Sequence, residues 1–413
     1  MTRLKLATSD TFRSLQSRNF RLFFTGQLIS QVGNWLTLVA QTLLVFKLTR
    51  SGVMLGLLAA AQFGPVLLMG AFAGLKADRS DKRKLLLTIQ SFAMFQSFAL
   101  GALAFMDKPP VAAIFAIAVF GGIATAFDNP ARRSFVVEMV ETEDINNAVG
   151  LNSALMTGSR IVGPALAGFL ITTVGFGWAF LLDGLSYIAV LVGLAKMNPA
   201  ELKPAPVAQS GRGQIGAGIR YARSIPELWV PLVMMSIIGM LAFNFQTVLP
   251  VFVDRDLHGG TLTFTLLFSV VSTGSLVGAL VTARRRIVGL NHVTTAALGF
   301  GGSMTLLALS PNTTVAFIVG VTLGLTSIAF MTSSTAIVQT RSDPSMRGRV
   351  LALQSIVFLG STPIGGPIVG TISQQFGARY ALGLGAIGCF AAGFVGLSQK
   401  RKAAAAELRP VEG

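Results

Sequence analysis

The stretch Gly70–Lys84 reads GAFAGLKADRSDKRK; apolar sequence runs up to it and resumes at Leu85. Gly70 and Gly74 thin the end of the apolar run before the turn, and Asp78-Arg79 open a dense charge cluster that lasts through Lys84. A short charged turn between two long apolar runs marks one face of a membrane, and the positive excess points to the cytoplasmic face. The fold class turns on whether the rest of the chain repeats that pattern.

It does. The chain has 413 residues, 52% hydrophobic and only 12% charged, with mean hydropathy +0.67. Soluble domains carry about 25% charged residues, so this sequence has too little polar surface for one. The 45 glycines suit membrane helices, where small residues let backbones approach. Twelve apolar segments lie near 20–46, 53–76, 84–106, 111–130, 146–173, 177–197, 227–252, 262–283, 290–309, 312–338, 348–375 and 380–399. Each is close to the roughly 20 residues that cross a bilayer, and lipid requires such runs to be helices. The alternation of a membrane barrel is absent. The first run, from Leu22, is too long for a signal-peptide core, so no cleaved leader is expected.

The net charge of +16 would suggest nucleic acid in a soluble protein; here its placement is topological. With the N-terminus inside, 27 of 33 Lys and Arg fall in cytoplasmic segments, including Arg3, Lys5, Lys76–Lys84, Arg132-Arg133, Arg284–Arg286 and the tail from Lys400. Lys47, Arg50, Lys108, Arg255 and Arg379 fall outside, and Arg160 lies within the membrane. Both termini are therefore expected in the cytoplasm of a bacterial inner-membrane protein, with no nucleic-acid partner.

The expected domains are an N-terminal bundle over 1–197, a linker over 198–226 and a C-terminal bundle over 227–413. The linker carries Pro199, Pro204, Pro206 and a Ser-Gly-Arg-Gly stretch, then IGAGIRYARSIPEL, which suits an amphipathic surface helix. The halves echo each other at nearly the same offset. Gly70/Gly74 match Gly274/Gly278, GPALAG at Gly163–Gly168 matches GGPIVG at Gly365–Gly370, and Asn34-Trp35 matches Asn244-Phe245. Internal repeats of this kind are a transporter signature.

Gly74–Lys84, Asp128-Asn129-Pro130-Ala131-Arg132, Arg160-Ile161-Val162-Gly163-Pro164, Leu182-Asp183-Gly184-Leu185-Ser186 and Arg347-Gly348-Arg349 carry a resemblance to the major facilitator superfamily. Within it the chain resembles the bacterial exporters that include enterobactin and macrolide efflux proteins, the transmembrane secretion effectors. The resemblance implies an all-α membrane fold of two six-helix bundles, related by a pseudo-twofold axis, that rock about a central cavity. It departs from the loop pattern at Lys76, usually apolar, and Asp81, usually glycine.

Each motif carries two readings. The Gly74–Lys84 loop either fixes topology or forms an inner gate. As a gate, Asp78 would meet the N-terminus of the eleventh segment, and Asp128 would pair with Arg79, Arg83 or Arg132. The second half has Thr282 where Asp78 maps, so such a gate is asymmetric. Gly163, Pro164 and Gly168, like Pro367 in the eleventh segment, read either as packing and kink positions or as the hinge associated with antiporters.

Buried charges carry most functional information in a membrane. Arg160 lies ~20 Å from the inner end of its segment and Asp183 ~9 Å from the outer end of the next, at 1.5 Å per residue. Similar depth on antiparallel neighbours predicts an Arg160–Asp183 pair, direct or through water, either a static tie or a titrating proton site. Gln27, Gln31, Asn34 and Gln41 share a face of the first segment. The resemblance puts segments one, four, seven and ten around the cavity, so Asn34 and Asn244 are the first candidate substrate contacts, with Gln31, Gln62 and Gln246 as further ones. Interhelical hydrogen bonding is the alternative for each. The fourth segment has Gly121-Gly122 but lacks the buried arginine of many proton-coupled relatives.

An enzyme finds little support. His258 and His292 are distant loop residues, Cys389 is alone, and there is no phosphate-loop lysine motif. The expected function is secondary export of a small amphipathic molecule, siderophore- or drug-like, driven by the proton gradient, with no bound cofactor, by a monomer. The alternatives are an importer, a metal or cation exporter, or a non-transporting assembly or sensor protein of the same fold.

Overall fold

The computed structural model describes residues 12–203, 214–283 and 288–407. Arg3, Lys5, the Ser-Gly-Arg-Gly stretch of the linker, Arg284–Arg286 and the last residues of the tail lie outside them. The described chain is helical, with no strand: α1 Arg18–Thr49, α2 Gly52–Asp78, α3 Lys82–Ala104, α4 Val111–Glu138, α5 Ile145–Thr173, α6 Phe176–Ala195, α7 Gln214–Ser224, α8 Pro226–Leu241, α9 Phe245–Arg255, α10 Thr261–Ala283, α11 Leu290–Ala308, α12 Thr313–Arg341, α13 Pro344–Gln375 and α14 Ala378–Glu407. Among the described residues eleven spans are long and apolar enough to cross a membrane, α8 and α9 counting as one. The remaining expected segment forms the shorter, more polar α11.

Two departures from the expected segments have physical causes. The seventh is broken at Ala242–Asn244, where Asn244 occupies the N-cap of α9 and its Nδ2 donates to the Met240 carbonyl at the end of α8. The side chain thus satisfies one of the carbonyls orphaned by the break. The fourth runs through Pro130 to Glu138. A proline within a helix forfeits one backbone bond, and here Phe135 and Val136 beyond it are buried against Phe23 and Leu86, holding the extension in place.

Two compact units emerge. One joins Met1–Leu48 with Leu68–Ser210; the other joins Thr49–Leu67 with Gly211–Gly413. The first half of α2 therefore packs with the C-terminal helices. At Gly52 and Gly56 of α2, added Cβ atoms would run into the Gly370 and Gly366 carbonyls of α13, so two glycine pairs let these backbones touch. In the same unit Arg50 pairs with Asp254 at 2.7 Å, and the Gln374 side chain accepts from Gly52 N and Arg255. The linker helix α7 docks on the start of α13, where Tyr221 and Asp343 exchange two hydrogen bonds.

Candidate functional site

In the N-terminal unit α1 presents Gln31, Asn34 and Thr37 on successive turns toward α6 and α5. Asp183 on α6 is 1% exposed. Its Oδ2 accepts from Thr37 at 2.6 Å and from Ser97 of α3 at 2.7 Å, and its Oδ1 from Ser186 at 3.4 Å. The close approach requires Gly33, because a Cβ there would overlap Asp183 Oδ1. A buried carboxylate is tolerated when its oxygens are hydrogen-bonded, and three hydroxyls do that here.

The direct form of the expected Arg160–Asp183 pair does not occur. The Arg160 guanidinium lies over the Trp35 ring, 5.4 Å from its centroid, and its Nε is buried without a hydrogen-bond partner. Depth matched, but depth does not fix rotation about the helix axis: Asp183 faces α1 and α3, whereas Arg160 faces an aromatic on α1. A guanidinium over indole is itself a favourable cation–π contact.

One turn beyond Asp183, the Tyr187 hydroxyl donates to Asn34 Oδ1 at 2.9 Å. Asn34 Nδ2 donates to Gln31 Oε1 at 2.9 Å, and Gln31 Nε2 donates to the Met156 sulfur. Arg132 Nη1 reaches the same sulfur at 3.8 Å, and Arg132 forms an ion pair with Asp128, whose other oxygen accepts from Gln90 at 2.8 Å. Of the three cations considered for Asp128, the structure uses Arg132, four residues on along the same helix. Arg83 instead caps α6, donating to Leu194 O at 2.7 Å and Ala195 O at 2.9 Å. Lys82 is buried against Glu138 at 2.7 Å. Asp78 and Arg79 are exposed and, among the described residues, have no ion pair.

The other candidates divide. Gly163 packs on α1, where a Cβ would overlap Trp35, and Pro164 and Gly168 are buried beside it, as the packing reading expects. Pro367 abuts Gly56. Gln62 is buried. In the C-terminal unit Asn244 is 4% exposed and its Oδ1 has no hydrogen-bond partner. Phe243 beside it contacts Phe245, Phe300 and Phe358 at centroid distances of 5.1–6.0 Å. Gln246 follows, half-buried. Tyr187, Ser97, Met156 and the Lys82–Glu138 pair escaped the sequence reading; only Tyr187, four residues after Asp183, left a periodicity signal.

Helices broken at mid-span, repeated halves and buried charges all describe a solute carrier, and comparison with known proteins agrees. Residues 9–412 match the family described as transmembrane secretion effector. The chain belongs to that family of major facilitator transporters. It is 24% identical to the staphyloferrin A transporter of Staphylococcus aureus, over 86% of this chain and 90% of that one. It is 21% identical to macrolide efflux protein A of Streptococcus pyogenes (87% and 91%) and 22% to the enterobactin exporter of Shigella flexneri (86% and 85%). Among solved structures, a bacterial homologue of the human lysosomal transporter Spinster superposes with TM-score 0.74 at 14% identity, over 93% of this chain and 96% of that one. These relatives are multi-span transporters, not enzymes.

Proposed function

We propose that the chain is a proton-coupled exporter of a small amphipathic molecule, siderophore- or drug-like, working by alternating access in the bacterial inner membrane, with both termini in the cytoplasm. The observation that carries this reading is Asp183: an intramembrane carboxylate held by hydroxyls rather than by a cation, so that taking up a proton strands no partner charge. The similarity to siderophore and macrolide transporters supports the solute class and the outward direction. Asn244 and Gln246, at the break between α8 and α9, present polar groups beside an aromatic cluster and suit a solute with both aromatic and hydrogen-bonding parts. Asp78, exposed at the end of α2, is the gating carboxylate that meets its partner when the cytoplasmic side closes.

Proteoliposomes loaded with a pH-sensitive dye and given a macrolide or a carboxylate siderophore as probe would test this. Probe movement against a proton gradient, with matching proton flux that disappears in Asp183→Asn, is the expected result. Movement unchanged when a protonophore collapses the gradient would overturn the coupling, and no movement of either probe would overturn the solute class.

A further inference from the structure

We infer that Tyr187 is a positioning residue that couples the carboxylate of Asp183 to the Asp128–Arg132 pair through Asn34, Gln31 and Met156. The inference rests on the proton-coupled reading and adds the route by which the proton is felt. Two features of the geometry carry it.

The first is contiguity across two turns of helix. Asp183 is bonded by Ser97 and Asp128 by Gln90, both on α3 and seven residues apart, ~10 Å along the axis. The gap is bridged on α1 by the row Thr37, Asn34, Gln31. Thr37 holds Asp183, Asn34 holds Tyr187, and Gln31 ends at the sulfur that also receives Arg132. One face of α1 therefore touches both charged centres.

The second is the chemistry of the links. Tyr187 donates to Asn34, Asn34 to Gln31, and Gln31 to a thioether. Amide N–H groups do not release protons near neutral pH, and a thioether sulfur has none to pass on. The row cannot be a proton wire; what it transmits is position. Ionised Asp183 accepts from Thr37 and Ser97 on the same oxygen. A proton on the carboxyl removes the charge that strengthens the bonds from Thr37 and Ser97, so the grip of α1 on α6 loosens. The side chains bonded to Asp183 are Thr37 from α1, Ser97 from α3 and Ser186 from its own helix, with Tyr187 one turn along. The cation of α5, Arg160, is turned onto Trp35. As α6 shifts against α1, Tyr187 draws the Asn34 amide with it, Asn34 draws Gln31, and the bond that shares Met156 with Arg132 is withdrawn.

Spatial intermediacy alone does not establish coupling, and a double-mutant cycle measures it. Replacing buried Cys389 by Ala and adding Arg133→Cys places a single exposed thiol beside Arg132. Its alkylation rate by a membrane-impermeant maleimide is read at one fixed pH in proteoliposomes, without solute. Asp183→Asn, which holds the site neutral, is expected to change the rate by about fivefold, the lower end of usual coupling between sites. In a Tyr187→Phe background the same substitution should change it by less than twofold. Asn34→Ala, which cuts the row at its next link, should do the same and stands in if Tyr187→Phe does not fold. An undiminished Asp183→Asn effect in both backgrounds, or none in the parent, overturns the inference. Failure of the proton-coupled reading is seen separately: a carrier indifferent to the collapsed gradient can still show the fivefold factor, and one that obeys the gradient can lack it.

Discussion

Gly274 and Gly278 on α10 lie against α12 so closely that a Cβ on either would overlap the Val321 or Leu325 carbonyl; from the other side, Gly324 abuts the Val271 carbonyl. Gly70 and Gly74, their counterparts on α2, have no described atom within 4 Å of where a Cβ would stand. Gly74 therefore does not pack tightly at the start of the charged turn. The C-terminal copy uses its glycines to weld two helices, as small residues do in membranes. The N-terminal copy keeps a bare backbone face next to an exposed Asp78. Where the aspartate would map in the second copy, Thr282 instead bonds its own helix at the Gly278 carbonyl. A repeated motif has become a fixed joint in one unit and an unengaged surface in the other.

The comparison would break first at Lys82–Glu138, because the turn after Gly74 is not loose throughout. Both side chains are about 7% exposed or less. Removing one partner of a buried pair leaves an uncompensated charge, typically about 3–5 kcal/mol. Glu138→Gln should therefore cause the largest drop in thermal unfolding temperature in detergent, and Lys82→Met with Glu138→Leu should recover most of it. If Glu138→Gln is neutral, the turn is solvated and its charges are only topological.

What the sequence made legible follows from which physical constraint acts on it. Lipid forces apolar runs into helices, so α1, α2 and α10 stand within two or three residues of their expected bounds. The break at Ala242–Asn244 was hidden because Ala242 and Phe243 are as apolar as their neighbours and a lone Asn244 reads as a substrate contact; only the cap on Met240 reveals it. The turns of α4 beyond Pro130 were hidden because proline reads as a stop although one lost bond is affordable beside a buried Phe135. For Arg160 and Asp183, residue counting gave depth and nothing gave azimuth. Lys82 read as part of the charged turn and Arg83 as a partner for Asp128, because pairing with Glu138 and capping of α6 depend on residues 56 and more than 100 positions away.

The next effect in size should come from Gly278→Ala or Gly324→Ala. Inserting a methyl into a backbone contact forces the helices apart, and overpacking of this kind costs about 1–3 kcal/mol. A fall in unfolding temperature with solute movement per folded molecule unchanged is the expected result for a welded joint. Equal tolerance of Ala at all these positions would mean that the α10–α12 contact relaxes freely, and the contrast between the copies would disappear.

Gly74→Ala should have the smallest effect on stability, within about 0.5 kcal/mol, as for surface changes that touch nothing. Its consequence should lie in transport instead. If the bare face beside Asp78 is the surface that closes the cytoplasmic side, a methyl there would leave the protein folded and slow probe movement in proteoliposomes. Asp78→Ala would slow it as well, by removing the charge that holds the closed form. Because the two substitutions act on one closed state, the double variant should be little slower than the worse single one. Gly74→Ala with full transport would reduce the N-terminal glycines to remnants of the repeat and leave Asp78 alone to account for the gate.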